Sequence, residues 1–270
     1  MKIHEDTFSA NGVKLGFKYI SGRGPTLVFL HGGTGSLSAW KITEDEFRAL
    51  RQPLLYLDTR GCGKSSRPLT WQEYSLENHI KDVIDTLNKF KLQKVVLIGH
   101  CQGAMIGAGI ALQKPELVSK LILINPPLKH QTMLLGKFCE LALRVLYPGL
   151  NLFCKYSNGK GGRVDYSKFI GTPDFHLGRI FADYRACGLR SVLNQFRAIC
   201  EWDDVSIYSK INIPTLIIAG SKDTIAPSKL AVKLSKLITG SKLVVLKTSH
   251  TAPMNAGKRI VNIIVTFINT

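Results

Sequence analysis

Acidic residues are scarce in this 270-residue chain: 19 Asp and Glu stand against 36 Lys and Arg, a formal net charge of +17 at pH 7. Such an excess draws anionic partners at low salt. Nucleic acid is not expected among them, because no basic helix, aromatic-studded sheet motif or zinc knuckle accompanies the charge. Cysteine is sparse and irregular. Cys62, Cys101, Cys139, Cys154, Cys187 and Cys200 form no C-x-x-C pair; this excludes a zinc ribbon or dithiol redox motif and fits reduced thiols. No window holds eighteen uncharged apolar residues, so a spanning helix is excluded. The start, Met1-Lys2-Ile3-His4-Glu5-Asp6, lacks the basic-then-apolar pattern of a secretory leader, and a cytoplasmic location is expected. A phosphate loop is missing too, since Gly63-Lys64-Ser65 has Asp58 where the first glycine belongs.

What is present is an alternation. After an Asn11-Gly12 hairpin signal, apolar runs at 26–30, 54–57, 94–98, 121–124, 215–219 and 243–246 alternate with helical stretches. These runs are mostly too uniformly apolar to face water, as expected of parallel strands covered on both sides. Between the second and third, Leu76, Ile80, Val83, Leu87 and Phe90 recur at helical spacing and predict an amphipathic crossover helix. The rhythm breaks after Asn125-Pro126-Pro127. The following 80 or so residues show helical patterns, at 133–146 and 179–202, and no strand. With 45% hydrophobic residues the chain can fill one large core. The expected organisation is an α/β core of residues 1–127 and 207–270 carrying an α-helical lid at 128–206. A lid whose apolar face looks inward at an acyl group is the favoured reading; peripheral contact with a membrane is the minor one.

Four motifs carry chemistry. Gly99-His100-Cys101-Gln102-Gly103 joins an apolar run to a small-residue helix. Glycines two places either side let strand and helix approach while the central residue is held out over the sheet. Cys101 is therefore the candidate nucleophile, at a helix start where the dipole favours a thiolate. His31-Gly32-Gly33-Thr34-Gly35 can aim backbone N–H groups at a developing oxyanion, with Gly33 and Gln102 as the expected donors and His31 as a structural residue. Asp58 to Ser65 reads as a structural turn. Asp223 and His250 each lie just beyond a strand's end, on the edge that carries Cys101 in a parallel sheet.

These features together resemble the α/β-hydrolase superfamily over essentially the whole chain: the 31–35 loop, Asp58-x-Arg60-Gly61-x-Gly63-x-Ser65, the elbow at 99–103, Gly220-x-x-Asp223 and His250. The resemblance implies an α/β-hydrolase fold, a mostly parallel central sheet flanked by helices with the lid inserted after the sixth strand. It assigns Cys101 as nucleophile, His250 as general base then acid, and Asp223 as the orienting carboxylate. No cofactor and no metal are implied. Most members carry serine at the elbow, whereas cysteine resembles the dienelactone hydrolases and polyhydroxyalkanoate synthases.

The expected activity is hydrolysis of a carboxylic ester or thioester through a cysteinyl acyl-enzyme. Three alternatives stand beside it: transfer or ring closure onto an amine, alcohol or carbon nucleophile; a serine esterase or thioesterase trapped by Ser-to-Cys exchange; and a non-catalytic ligand-binding receptor of this fold. Residues 128–204 carry 11 Lys and Arg against 7 Asp and Glu. Through Lys137, Arg144, Lys155, Lys160, Arg163, Arg179 and Arg185 this basic lid is expected to meet an acyl-CoA or an acyl group on acyl carrier protein.

Overall fold

A computed structural model of the chain describes residues 1–128, 145–149, 152, 159, 161–201 and 205–270. Its sheet has eight strands in the order β1-β2-β4-β3-β5-β6-β7-β8. Ile3–Ala10 (β1) and Val13–Ile20 (β2) pair antiparallel across Asn11 and Gly12, both at positive φ, and β2 pairs antiparallel with Leu54–Leu57 (β4). The remaining pairings are parallel, through Leu27–Leu30 (β3), Val95–His100 (β5), Val118–Ile124 (β6), Thr215–Gly220 (β7) and Lys242–Leu246 (β8).

The uniform apolarity of the central strands follows from their two covered faces. Val28, Leu30, Leu97, Leu121, Leu123 and Ile217 pack on one side with Leu76–Lys89 (α2), Gln102–Gln113 (α3) and Ser228–Leu237 (α6). Their alternates, Phe29, Ile98, Ile122 and Ile218, pack on the other with Trp40, with Phe47 of Glu44–Arg48 (α1), and with Gly257–Ile268 (α8). The predicted amphipathic helix is α2, which ends at Lys89. Strand β8 departs from the expectation: it is the sheet's last strand, and the two cores cover it only in part, Leu243 on one face and Val244 on the other, which leaves Val245 47% exposed.

Between β6 and β7 the described residues contain no strand. The helix expected at 179–202 is two, Leu177–Cys187 (α4) and Leu189–Cys200 (α5), broken at Gly188, whose φ of 84° an α-helix cannot continue through. The other expected lid helix at 133–146 lies largely outside the described residues. Arg67 fastens the end of α4 to the core by donating to the Cys187 and Ala186 carbonyls, each at 2.9 Å, and Tyr74 Oη lies 2.9 Å from Ser191 Oγ of α5. No described helix is long and apolar enough to cross a membrane.

Candidate active site

The elbow is built by close approach. A Cβ on Gly99 would lie 2.2 Å from the Gly103 carbonyl oxygen, and one on Gly103 would lie 2.3 Å from that of Leu30, so both positions exclude any side chain. Between them Cys101 adopts φ 50°, ψ −113°, a conformation costly for a residue with a Cβ. Its N–H donates to the Ile124 carbonyl at 2.9 Å. The thiol is thereby fixed at the C-terminal edge of the sheet, at the N-cap of α3. Gly32 presses on the same spot, since a Cβ there would meet Cys101 Cβ at 3.3 Å, and one on Gly33 would lie 3.4 Å from Gln102 Oε1. The two expected oxyanion donors thus belong to adjacent segments beside the thiol. The Gln102 N–H, in the first turn of α3, has no partner within the helix.

His250 and Asp223 close on Cys101 from the ends of β8 and β7. His250 Nδ1 lies 2.7 Å from Asp223 Oδ2. The other Asp223 oxygen accepts the N–H groups of Ile225 and Ala226 at 2.8 and 2.7 Å, which leaves the carboxylate no freedom to rotate. Burial works against a charge on His250, yet its neighbours Cys101 and Asp223 outweigh it and push the ring up to about 10.

Three other buried histidines surround the site, and burial pulls each of them down: His31, His79 to about 3 and His100 to about 3. Asp58 also favours a charge on His31, but of these four histidines only His250 has neighbours that outweigh burial, and this separates the base from the bystanders. His31 is structural, as expected: its Nε2 accepts the Thr59 N–H at 3.0 Å, so Nδ1 carries the proton donated to the Gly32 carbonyl at 2.7 Å. The 58–65 turn is structural as well. Buried Asp58 accepts from the N–H groups of Leu37 and Lys64 at 2.8 and 3.0 Å, while Arg60 Nε and Nη2 grip Asp82 at 2.7 and 2.5 Å.

The family model described as the alpha/beta hydrolase fold matches residues 25–151, the stretch that holds the glycine loop, the elbow and the strands that carry them. Over this stretch the chain is similar to the α/β-hydrolase superfamily, whose fold it has. Human epoxide hydrolase 4 is 39% identical over 116 residues, which is 42% of this chain and only 32% of that protein. The uncharacterized hydrolase YugF of Bacillus subtilis is 28% identical over 97% of this chain and 96% of its own length. Among solved structures, the esterase from Exiguobacterium antarcticum superimposes with a TM-score of 0.78 at 21% identity, over 98% of this chain and 99% of that one.

The structure also shows positions that the motifs did not reveal. Asn125, the residue after β6, ties loops together: its Nδ2 donates to the His250 carbonyl at 2.7 Å and its Oδ1 accepts the Gly220 N–H at 2.8 Å. His100 Nε2 donates to the same His250 carbonyl at 2.8 Å. A cavity of about 50 Å³ opens beside the glycine loop, lined by Gly32, Gly33, His100, Tyr166, Arg179 and Asp183 among others. Within it Tyr166 Oη donates to Asp183 at 2.7 Å; burial raises the Asp183 carboxyl to about 6, against the pull of Tyr166 and Arg179. No local pattern marked Tyr166 or Asp183.

The basic residues expected to greet a carrier fare differently. Lys137, Arg144, Lys155 and Lys160 lie outside the described residues. Arg179 turns inward rather than outward, its guanidinium on Asp183 and on the Asp174 carbonyl. Arg163 likewise pairs with Asp58 at 3.0 Å and with Glu5. Arg185 is exposed and lies over the Phe181 ring.

Proposed function

We propose that this α/β-hydrolase cleaves a carboxylic ester or thioester through a covalent cysteinyl acyl-enzyme, with Cys101, His250 and Asp223 as triad and residues 128–206 as the lid over it. The observation that carries the reading is the strained Cys101 beside a histidine that is raised to about 10 and held by a buried carboxylate. The Cys101 thiolate attacks the acyl carbon, and the carbonyl oxygen gathers charge against the Gly33 and Gln102 N–H groups. Collapse expels the alcohol or thiol, which takes its proton from the His250 imidazolium. His250 then removes a proton from water, the hydroxide adds to the thioester, and collapse returns the thiolate with release of the acid. Asp223 keeps Nδ1 protonated throughout and offsets the imidazolium charge.

The name of the human relative raises epoxide opening as another reading, and the nucleophile argues against it. Thiolate attack on an epoxide carbon would give a thioether, which has no carbonyl for water to enter, so turnover would stop after one cycle. Acyl chemistry gives a thioester that water reopens. A carrier protein or CoA as acyl donor belongs to the same proposal, supported by the +17 net charge and by exposed Arg185 rather than by Arg163 or Arg179.

The test is time-resolved intact mass spectrometry with p-nitrophenyl esters and with short and medium acyl-CoA thioesters. A transient acyl adduct on Cys101 with release of free acid is expected. An adduct that clears only on addition of an amine or alcohol would make the protein a transferase, and the absence of any adduct at Cys101 would overturn the triad.

A further inference from the structure

Asp174 belongs to the insertion between β6 and β7, in the turn just before α4, and not to the sheet that carries the triad. It is only 4% exposed. Its carboxylate lies between the two loops that deliver the acid and the base. Oδ1 accepts the backbone N–H of His250 at 2.7 Å, and Oδ2 accepts both the N–H and the hydroxyl of Thr224, the residue after Asp223, at 2.9 and 2.7 Å. Three donors converge on one buried anion, and each such charge-assisted bond is stronger than a neutral one. Although burial opposes the ionised form, the Thr224 and His250 donors hold the carboxyl below its ordinary value.

We infer that Asp174 is a positioning residue for the triad, clamping the His250 loop to the Asp223 loop and making their alignment depend on how the insertion seats on the core. This rests on the triad assigned above. On the opposite side of His250, Asn125 and His100 hold the carbonyl, so the backbone of the base is gripped at its N–H by the insertion and at its C=O by the sheet. The Arg179 guanidinium, on the Asp174 carbonyl and the Asp183 carboxylate, links the same turn to the cavity beside the glycine loop.

The amide in Asp174→Asn is nearly isosteric but has a single acceptor oxygen, so it serves His250 or Thr224 and not both. Thr224→Val deletes one of the three bonds and keeps the side-chain shape. Each full-length variant would be checked by circular dichroism and thermal melting. The rate of iodoacetamide alkylation at Cys101 would then be read from its tryptic peptide across pH 5–10, alongside kcat and KM for a p-nitrophenyl ester. Folded Asp174→Asn is expected to alkylate at least tenfold more slowly at pH 7, with its rise displaced to higher pH, and to lose kcat with KM within twofold. Thr224→Val is expected to shift in the same direction by two- to fivefold. Alkylation and kcat within twofold of the parent in folded Asp174→Asn would overturn the proposal. If that variant fails to fold, parental alkylation in Thr224→Val would do so. The acyl-enzyme reading fails separately, when the parent itself turns over no ester or thioester while Cys101 alkylation still responds to Asp174.

Discussion

Asn125, the residue after β6, donates at 2.7 Å to the carbonyl oxygen of His250, 125 residues further along the chain. Its other amide atom accepts the Gly220 N–H at 2.8 Å. One uncharged side chain thus bridges the loop of the base to the end of β7, two residues before the loop of the acid. Asn125→Ala leaves the buried Gly220 N–H without its acceptor, a cost of about 1–3 kcal/mol, and lets the His250 backbone move. A drop of roughly 10–100-fold in kcat is expected, the scale on which a small misplacement of a catalytic group acts. Asn125→Asp should lose less stability than Asn125→Ala at the Gly220 contact but place an oxygen against the His250 carbonyl. Ester turnover and thermal midpoints measured together distinguish the two effects.

The strands were legible because a parallel sheet covered on both faces demands apolar side chains at every position: the runs at 54–57 and 215–219 coincide with β4 and all but the last residue of β7. Cys101, Asp223 and His250 stood out as candidates because each sits next to its own local mark, the glycine bracket for Cys101 and a strand end for Asp223 and His250. Asp174 and Asn125 carry no such mark. A single Asp in a loop or a single Asn after a strand is ordinary in sequence, and its meaning comes from hydrogen-bond partners that fold onto it from 50 to 125 residues away. The same is true of Arg163 and Arg179: charge counting assigns them to a basic surface, whereas tertiary contacts turn them onto Asp58 and Asp183. Composition reports how many charges a segment holds and is silent on which way they point.

Cys101→Ala is expected to abolish acyl labelling and to lower kcat/KM by roughly a thousandfold or more, because the nucleophile and its base act as a unit. Asp223→Asn should fall by about 10³–10⁴ in kcat, since an amide can present a donor to Nδ1 and favour the wrong tautomer. Steady-state kinetics on one ester and one thioester would settle both, and equal rates for parent and Cys101→Ala would place the chemistry elsewhere. Cys101→Ser tests whether the site needs a thiol: faster turnover in the serine form would show that the His250 pair is tuned for a hydroxyl.

Arg60 and Asp82 form a two-pronged pair with side chains 3% and 4% exposed. Arg60→Ala would leave a buried carboxylate without its counter-charge, and a loss of about 3–5 kcal/mol is expected. Arg60→Ala with Asp82→Ala should recover part of it. A denaturant titration of the four-member cycle measures the coupling, and additive single losses would mean that the pair contributes nothing as a pair.

His250 gives stability a pH dependence whose sign is fixed by the direction of its shift. Burial disfavours the imidazolium, but Cys101 and Asp223 prevail and raise the folded value to about 10, above the ordinary 6.5. A group raised in the folded state contributes its full stabilisation below the unfolded value. That contribution declines as pH rises from about 6.5 and is exhausted once pH passes about 10. Urea midpoints should therefore fall across pH 7–10 in the parent. Replacing Cys101 by Ala removes the strongest favourable partner, so the folded value drops and the decline in that window becomes shallower. Asp223→Asn should flatten it further while also weakening the native state at neutral pH. Parallel slopes for parent and Cys101→Ala between pH 7 and 10 would mean that Cys101 does not raise His250.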